Sequence, residues 1–350
     1  MAATSPLSGA AAIVGIGATE FSKNSGRSEL QLACEAVVAA LADAGLDPSE
    51  VDGLSTYTAE TNGEILVARN TGIGELKFFS RIPYGGGATC GTVQQAAMAV
   101  ATGIADVVVC YRAFNERSGV RYGLGQHDRP VDSTADRAAY AWMTPQGLST
   151  PAQWVAMFAR RYMHTYGATS EDFGRVAVVD RKHAAANPKA WFYQRPITLA
   201  DHQNSRWIAE PLHLLDCCQE TDGGQALVIV SAERAKDLAQ RPAIIKGAAQ
   251  GSGKDQHMMT SYYRPDISGS PRWAWSGGSC TRRADWVRPT SRRPSSMTTS
   301  LRWCSRSSRS SAFARWARPK TSSARETSSS VAACPSTPTA GSWVRPTCTA

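Results

Sequence analysis

The sequence predicts an α/β layered fold: a mostly parallel sheet covered on both faces by helices. Two observations carry this. Short β-rich runs alternate with segments of helical period over residues 11–115, and the first run scarcely alternates, as expected of a strand buried on both sides. The second is the stretch Tyr84 to Asn115, YGGGATCGTVQQAAMAVATGIADVVVCYRAFN, around which the rest is organised. Gly85, Gly86 and Gly87 lead through Ala88-Thr89-Cys90 into a helical run (Val93, Ala96, Ala97, Val100). After Gly103 a β-rich segment, Ile104 to Tyr111, follows.

Taken in order, Ala11 to Ala18 is small or β-branched, contains Gly15 and Gly17, and reads as a buried first strand. Its GIGATE lacks the third glycine of a dinucleotide fingerprint. Ser28 is placed to cap a helix whose apolar face is Leu30, Cys34, Val37, Val38 and Leu41, closed by Gly45, with Cys34 in the core. Val51 to Tyr57 and Lys77 to Ile82 read as strands flanking a short helix, Asn62 to Asn70.

Residues 119–149 have no period and are rich in Gly, Pro, Asp and Arg; they belong to a loop insertion over about 114–205. Ala152 to Tyr166 is an amphipathic helix with Trp154, Val155, Phe158, Ala159 and Tyr162 on one face and Arg160 and Arg161 off it, on a solvated face. Phe173 to Arg181 continues as helix. An aromatic loop, Trp191-Phe192-Tyr193, and a turn at Pro196 follow. His202 and His213 are the remaining polar candidates, although a lone histidine without a placed partner is more often structural. Cys217 and Cys218 read as core, Gly223 and Gly224 as a turn into the strand Ala226 to Val230, then a helix (Glu233 to Ala239) and a strand (Ala243 to Ala249).

The chemistry is expected at the central loop. Glycine backbone lets chain or ligand approach closely, and free N–H groups at a helix start carry partial positive charge. A thiol there becomes a better nucleophile. Cys90 is thus the catalytic candidate, and Tyr84, Gly85, Gly86 and Gly87 the substrate-binding candidates. The alternative for Cys90 is a small buried hydrophobe.

Nine cysteines, an odd count without CxxC or Cys/His ligand spacing, indicate neither a disulfide framework nor a zinc site, so no metal is expected. No apolar run approaches a membrane span and the first residues lack a secretory pattern, so a cytoplasmic protein is expected. The net charge of +9 points to nucleic acid, but its distribution removes that inference. From Arg272 onward 14 basic residues stand against two acidic ones, Asp285 and Glu326, a net +12 that leaves −3 for the rest.

A cysteine at a loop-to-helix junction, followed by Gly-Thr-Val-Gln-Gln-Ala and an ADVVV strand, resembles the nucleophile segment of the thiolase superfamily. AAIVGIGATEFSKNSGRSE, FNERSG (Phe114 to Gly119), SRWIAEPLHLLDCCQETDGG (Ser205 to Gly224) and MTSYYRP (Met259 to Pro265) resemble more narrowly its actinobacterial lipid-transfer-protein and thiolase-like acyltransferase branch. That branch includes retro-aldolases acting on CoA thioesters of steroid side chains. The resemblance covers about Ala11 to Pro271. It implies an acyl-CoA substrate with CoA as part of the substrate and no separate cofactor, a homodimer, and an OB-fold, zinc-ribbon partner. It also implies retro-aldol cleavage, with degradative thiolase or a non-catalytic lipid- or CoA-binding subunit as alternatives. Trp142 and Met143 would be lid residues by resemblance and ordinary loop packing otherwise.

After Pro271 the apolar period disappears, and 272–350 is Arg/Ser/Thr-rich with six of the ten tryptophans. As a basic arm it would suit nucleic acid, but disordered arms are poor in aromatics. A change of reading frame between about Gly269 and Arg272 accounts for it better. With permitted codons, regrouping the last base of each residue with the first two of the next turns Ala333 to Ala350 into LPVNTHGGQLGEAYLHG. In the same phase Ser296 to Cys304 becomes YDHFTPLV, and Ala317 to Glu326 permits GEAKDF. These are blocks typical of the C-terminal half of the resembled family. The expected organisation is therefore an intact N-terminal half, 1–271, and an aberrant tail, 272–350, that lacks the tyrosines and histidine of those blocks.

Overall fold

The computed structural model describes residues 6–57, 60–82, 89–121, 138, 141–251, 262 and 267–268. In chain order these form β1 (Ala11–Ala18), α1 (Glu29–Ala44), β2 (Gly53–Tyr57), α2 (Glu64–Thr71), β3 (Phe78–Ile82), α3 (Thr89–Ala101) and β4 (Val107–Asn115). Three helices follow, α4 (Pro151–Tyr166), α5 (Ser170–Ala185) and α6 (Leu199–Asn204), then β5 (Trp207–Ala209), β6 (Leu212–His213), β7 (Asp222–Ser231) and β8 (Ala243–Ile244). Residues 272–350 and the excursion 122–137 lie outside the described residues.

The main sheet has the order β3-β2-β4-β7-β1-β8. It is mixed rather than mostly parallel: β2 runs parallel to β3 and β4, whereas β7 is antiparallel to both β4 and β1, and β8 is antiparallel to β1. The parallel part comes from short crossovers through α3 and α2. Strand β7 arrives after residues 116–221, a connection long enough to return the chain from either end, so hydropathy carries no sign of its direction.

Helices cover both faces because successive side chains of a strand point to opposite sides. Val107, Val109, Tyr111 and Ala113 of β4 join Ala226, Val228 and Val230 of β7 in a core with α1 and α2. Val108, Cys110, Leu227 and Ile229 join the α3 residues Val93, Ala96, Ala97 and Val100 on the other side.

Helix α1 starts at Ser28, whose hydroxyl accepts from Gln31 N at 3.1 Å, and ends at Gly45 with φ 73°. Its buried face is Leu32, Ala33, Ala36, Val37, Ala40, Leu41 and Ala44; Val38 is 48% exposed and Cys34 only half-buried. Of the expected face, Val37 and Leu41 are buried and Leu30 packs against the core, while Val38 turns outward. The alanines make the closest approach because Gly15 and Gly17 of β1 lie directly beneath them: a Cβ at Gly17 would stand 2.1 Å from Ala36 O. Only small residues on both elements permit that approach.

Three further expectations change. Gly223 and Gly224 lie within β7, where a Cβ on Gly224 would meet Leu32 O at 2.5 Å; they serve close packing, not a turn. The segment after β7 is a single 3-10 turn, Arg234–Asp237, and the next strand shortens to Ala243–Ile244 because only its first residues reach β1. Cys218 is exposed and Cys217 half-buried, so neither is core. Helices α4 and α5 with the β5-β6 hairpin close a small core of their own from Ala156, Ala159, Tyr162, Phe173 and Leu212.

Candidate functional site

Helix α3 runs back across the sheet. Its first turn lies at the carboxyl end of β3, since a Cβ on Gly91 would meet Ile82 Cδ1 at 2.9 Å, and the chain just beyond its last turn packs at the start of β2, where Ala105 approaches Gly53. Cys90, half-buried and outside any disulfide, is therefore held at the N-terminal turn of a buried helix, at the carboxyl edge of the parallel strands. In open α/β sheets that edge is where ligands bind. Tyr84, Gly85, Gly86 and Gly87 fall outside the described residues.

Beyond the first turn of α3 the sheet face forms a shelf. Cys110 packs under α3 with its thiol beside Thr92, and burial pushes that thiol up to about 12. Two residues further along β4, on the same face, stands Arg112, half-buried. Its guanidinium lies 4.9 Å from the Tyr57 ring and 4.9 Å from the Phe114 ring. Across the ladder Arg112 faces Gln225, which faces Ala18, while Leu227 faces Ile16. Gln225 is exposed and Ile16 is 62% exposed, so the shelf is open on the β1 side.

Buried polar atoms without partners concentrate here. Among the described residues there are four, and three of them, Arg112 Nη1, Gln94 Oε1 and Ser22 Oγ, lie on α3 or next to the carboxyl ends of β1 and β4. Such atoms are rare in folded proteins, and each calls for an explanation.

The neighbouring loops are fixed by two carboxylates. Fully buried Asp222 accepts from Ser25 N (3.0 Å), Arg117 N (2.9 Å), Ser118 N (3.0 Å) and Ser118 Oγ (2.6 Å). Burial pulls its carboxyl up, but the Ser118 hydroxyl and the three N–H groups together outweigh it and hold the group below the usual range. Asp222 thereby ties the loop after β1 to the loop after β4, which joins three of the sequence blocks above. Glu60 extends the ladder beyond β2, accepting from Ala113 N (2.6 Å) and from Asn62 N and Nδ2 (3.0 and 2.5 Å). Burial pushes its carboxyl up, with those donors and nearby Arg112 opposing. Tyr111 is on the opposite face, its hydroxyl donating to Asn62 O at 3.0 Å, and burial raises its phenol strongly.

His202 and His213 come together, but away from Cys90. Their rings are 4.9 Å apart and both are buried. His202 Nε2 is 2.7 Å from Asp216 Oδ1, and His213 Nδ1 is 2.6 Å from Ser205 O. Trp207 stacks on His213 with centroids 3.6 Å apart. The pair braces the connection between α6 and the hairpin. Arg160 pairs with Glu210, and Arg161 is exposed. Trp142 is 80% exposed. Among the described residues no three His, Cys, Asp or Glu side chains converge as a metal site.

Arg112 was not singled out from the sequence. Its signal was present: one guanidinium inside the otherwise apolar run VVVCYRAF.

Comparison with known proteins places residues 11–233 under the family description Thiolase, N-terminal domain. The chain is 81% identical over 273 residues to the steroid side-chain-cleaving aldolase of Thermomonospora curvata, a match covering 78% of this chain and 70% of that one. It is 66% identical over 279 residues to the 17-hydroxy-3-oxo-4-pregnene-20-carboxyl-CoA lyase of Mycobacterium tuberculosis, covering 77% and 72%. Among solved structures, the Ltp2-ChsH2(DUF35) aldolase superposes with a TM-score of 0.77 at 76% identity, over 81% of this chain and 72% of that one.

Proposed function

The chain belongs to the thiolase superfamily, and on that premise we propose that it forms the thioester pocket of an enzyme cleaving a carbon–carbon bond in the side chain of a steroid or related CoA ester by retro-aldol reaction. The observation that carries this reading is the 81% identity to a protein named for side-chain cleavage. In such a reaction a base takes the β-hydroxyl proton, the O–H electron pair completes the new carbonyl, and the Cα–Cβ pair passes to the thioester. Its oxygen bears the charge until Cα is protonated. The shelf beyond Cys90 suits that thioester, with Cys90 shaping the pocket.

The base is expected elsewhere. Tyr111 is turned to the opposite face and raised by burial. By resemblance the proton-transfer groups are tyrosines of the YDHFT and GEAY blocks, whose positions here carry Ser296/Met297 and Pro346/Thr347; the histidine of HGG falls at Pro338/Thr339. Part of the proposal is therefore that 1–271 is the intact first half and 272–350 the second half read out of frame, leaving the 350-residue chain impaired. The 273-residue reach of the 81% match is close to the length of that first half.

The same reading includes a homodimer, an OB-fold, zinc-ribbon partner and a cytoplasmic setting, with no cofactor beyond substrate CoA. The solved relative named as an Ltp2-ChsH2(DUF35) aldolase supports a partner. No helix among the described residues is long and apolar enough to cross a membrane. Thiolysis is the second reading, favoured by Cys90 at a helix N-terminus. A chain with the frame restored near codon 271 should convert a β-hydroxyacyl-CoA to a ketone and a shorter acyl-CoA. Turnover only of a β-ketoacyl-CoA with added CoA would reject the retro-aldol assignment, and equal activity of the unrestored chain would reject the frame reading.

A further inference from the structure

Arg112 is the cationic side chain, among the described residues, with a buried nitrogen that meets no partner. It projects from β4 onto the shelf between two aromatic rings, and its Nη1 is shut from solvent and meets no acceptor among the described residues. Stacking against Tyr57 and Phe114 supplies attraction and fixes the plane of the group but gives no hydrogen bond. A guanidinium left in this state lacks a partner that arrives from outside.

The chemistry of the surroundings narrows that partner. Both Glu60 oxygens already lie against donors, Ala113 N and Asn62 N and Nδ2, and the side chain stands close enough to act electrostatically with Arg112. An acidic side chain beside the guanidinium disfavours the approach of a second full anion, such as a phosphate. An oxygen that is neutral on arrival and gains charge during reaction gains more, because the donor is pre-oriented and half-buried. The shelf position, at the level of the Cys90 turn, is where an acyl thioester would lie.

Resting on the proposed substrate class, we infer that Arg112 donates to the thioester carbonyl oxygen and stabilises the enolate formed on it. The atoms balance without another reactant. The proton lost from the β-hydroxyl is matched by the one that later reaches Cα, the Cα–Cβ pair becomes the enolate, and Arg112 keeps its protons throughout.

The test uses the full 350-residue chain and three probes: a saturated steroid acyl-CoA without the β-hydroxyl, its S-alkyl thioether lacking only the carbonyl oxygen, and free CoA. Calorimetric titration of the wild-type chain should favour the thioester over the thioether by about tenfold or more, as for a hydrogen bond to a charged donor. Arg112→Met should abolish that preference while leaving thioether and free-CoA affinities unchanged; Arg112→Lys, which keeps the charge but not the stacked fork, should restore part of it. A merely structural role would weaken all three probes together, and that result, or an undiminished preference in Arg112→Met, overturns the assignment. Where that uniform weakening comes with unchanged thermal unfolding, Arg112 is a phosphate ligand instead. If neither the 350-residue chain nor the frame-restored chain binds any of the probes, the substrate class itself falls. Thermal unfolding of each variant checks that the fold is kept, and Glu60 retains its three hydrogen bonds in both.

Discussion

Replacing Asp222 by Asn probes how the loops around the shelf are held. In the native chain Oδ1 accepts from Arg117 N and Ser118 N, and Oδ2 from Ser25 N and Ser118 Oγ. Asparagine keeps an oxygen for the first pair but turns an NH2 toward the second. The Ser118 hydroxyl can rotate to accept; Ser25 N cannot, and is left as an orphan donor costing about 1–3 kcal/mol, with roughly 1 kcal/mol more from the lost charge assistance. The expected loss is about 3 kcal/mol, against a total stability on the order of 5–15 kcal/mol. Urea unfolding followed by far-UV circular dichroism measures it directly, and the Tm should fall by about 6–12 °C. The difference also depends on pH. Because the folded carboxyl titrates below its unfolded value, its stabilisation is complete above about pH 4 and disappears as pH falls through the folded value. The gap between wild type and Asn should therefore close in acid. A loss under about 1 kcal/mol at pH 7, or a gap that persists unchanged in acid, would refute this view of Asp222 as the tie between the loops.

Other substitutions read other links. Gly17→Ala drives a Cβ to 2.1 Å from Ala36 O and should destabilise by about 1–3 kcal/mol or more in chemical denaturation, whereas Gly63→Ala, with nothing within 4 Å and an ordinary φ of −66°, should stay within about 1 kcal/mol of wild type. His202→Ala removes the partner of Asp216 from a fully buried site and should cost about 2–4 kcal/mol, with limited proteolysis appearing first between α6 and the hairpin; unchanged protease resistance would contradict the bracing role. Cys110, held at about 12 by burial, should resist alkylation of the native chain at pH 8 while exposed Cys218 reacts, as mass mapping would reveal.

Local signals in the sequence were legible where one element decides its own fate. The Ser28 and Gly45 caps fix α1 by backbone chemistry, and the Cys90 turn follows from a helical period starting after glycines. That the alanines of α1 make the closest approach while Val38 turns outward was not legible from α1 alone, because the two glycines that favour those alanines belong to β1. Likewise the direction of β7 depends on a long connection, not on its own residues. Among the site residues, Cys90 announces itself by type and position. Arg112 is hidden within a strand, and its meaning comes only from the register that sets Tyr57 on one side and Gln225 on the other. The His202–Asp216 contact joins residues fourteen apart that only the hairpin brings together.

The shelf lies at the carboxyl ends of β2, β3 and β4, and hydrogen exchange with and without a saturated steroid acyl-CoA locates the ligand on it or elsewhere. Protection should concentrate in the first turn of α3, the end of β4 around Arg112 and the start of β7. Protection confined to α4, α5 and α6, with those three segments unchanged, would contradict the placement of the site.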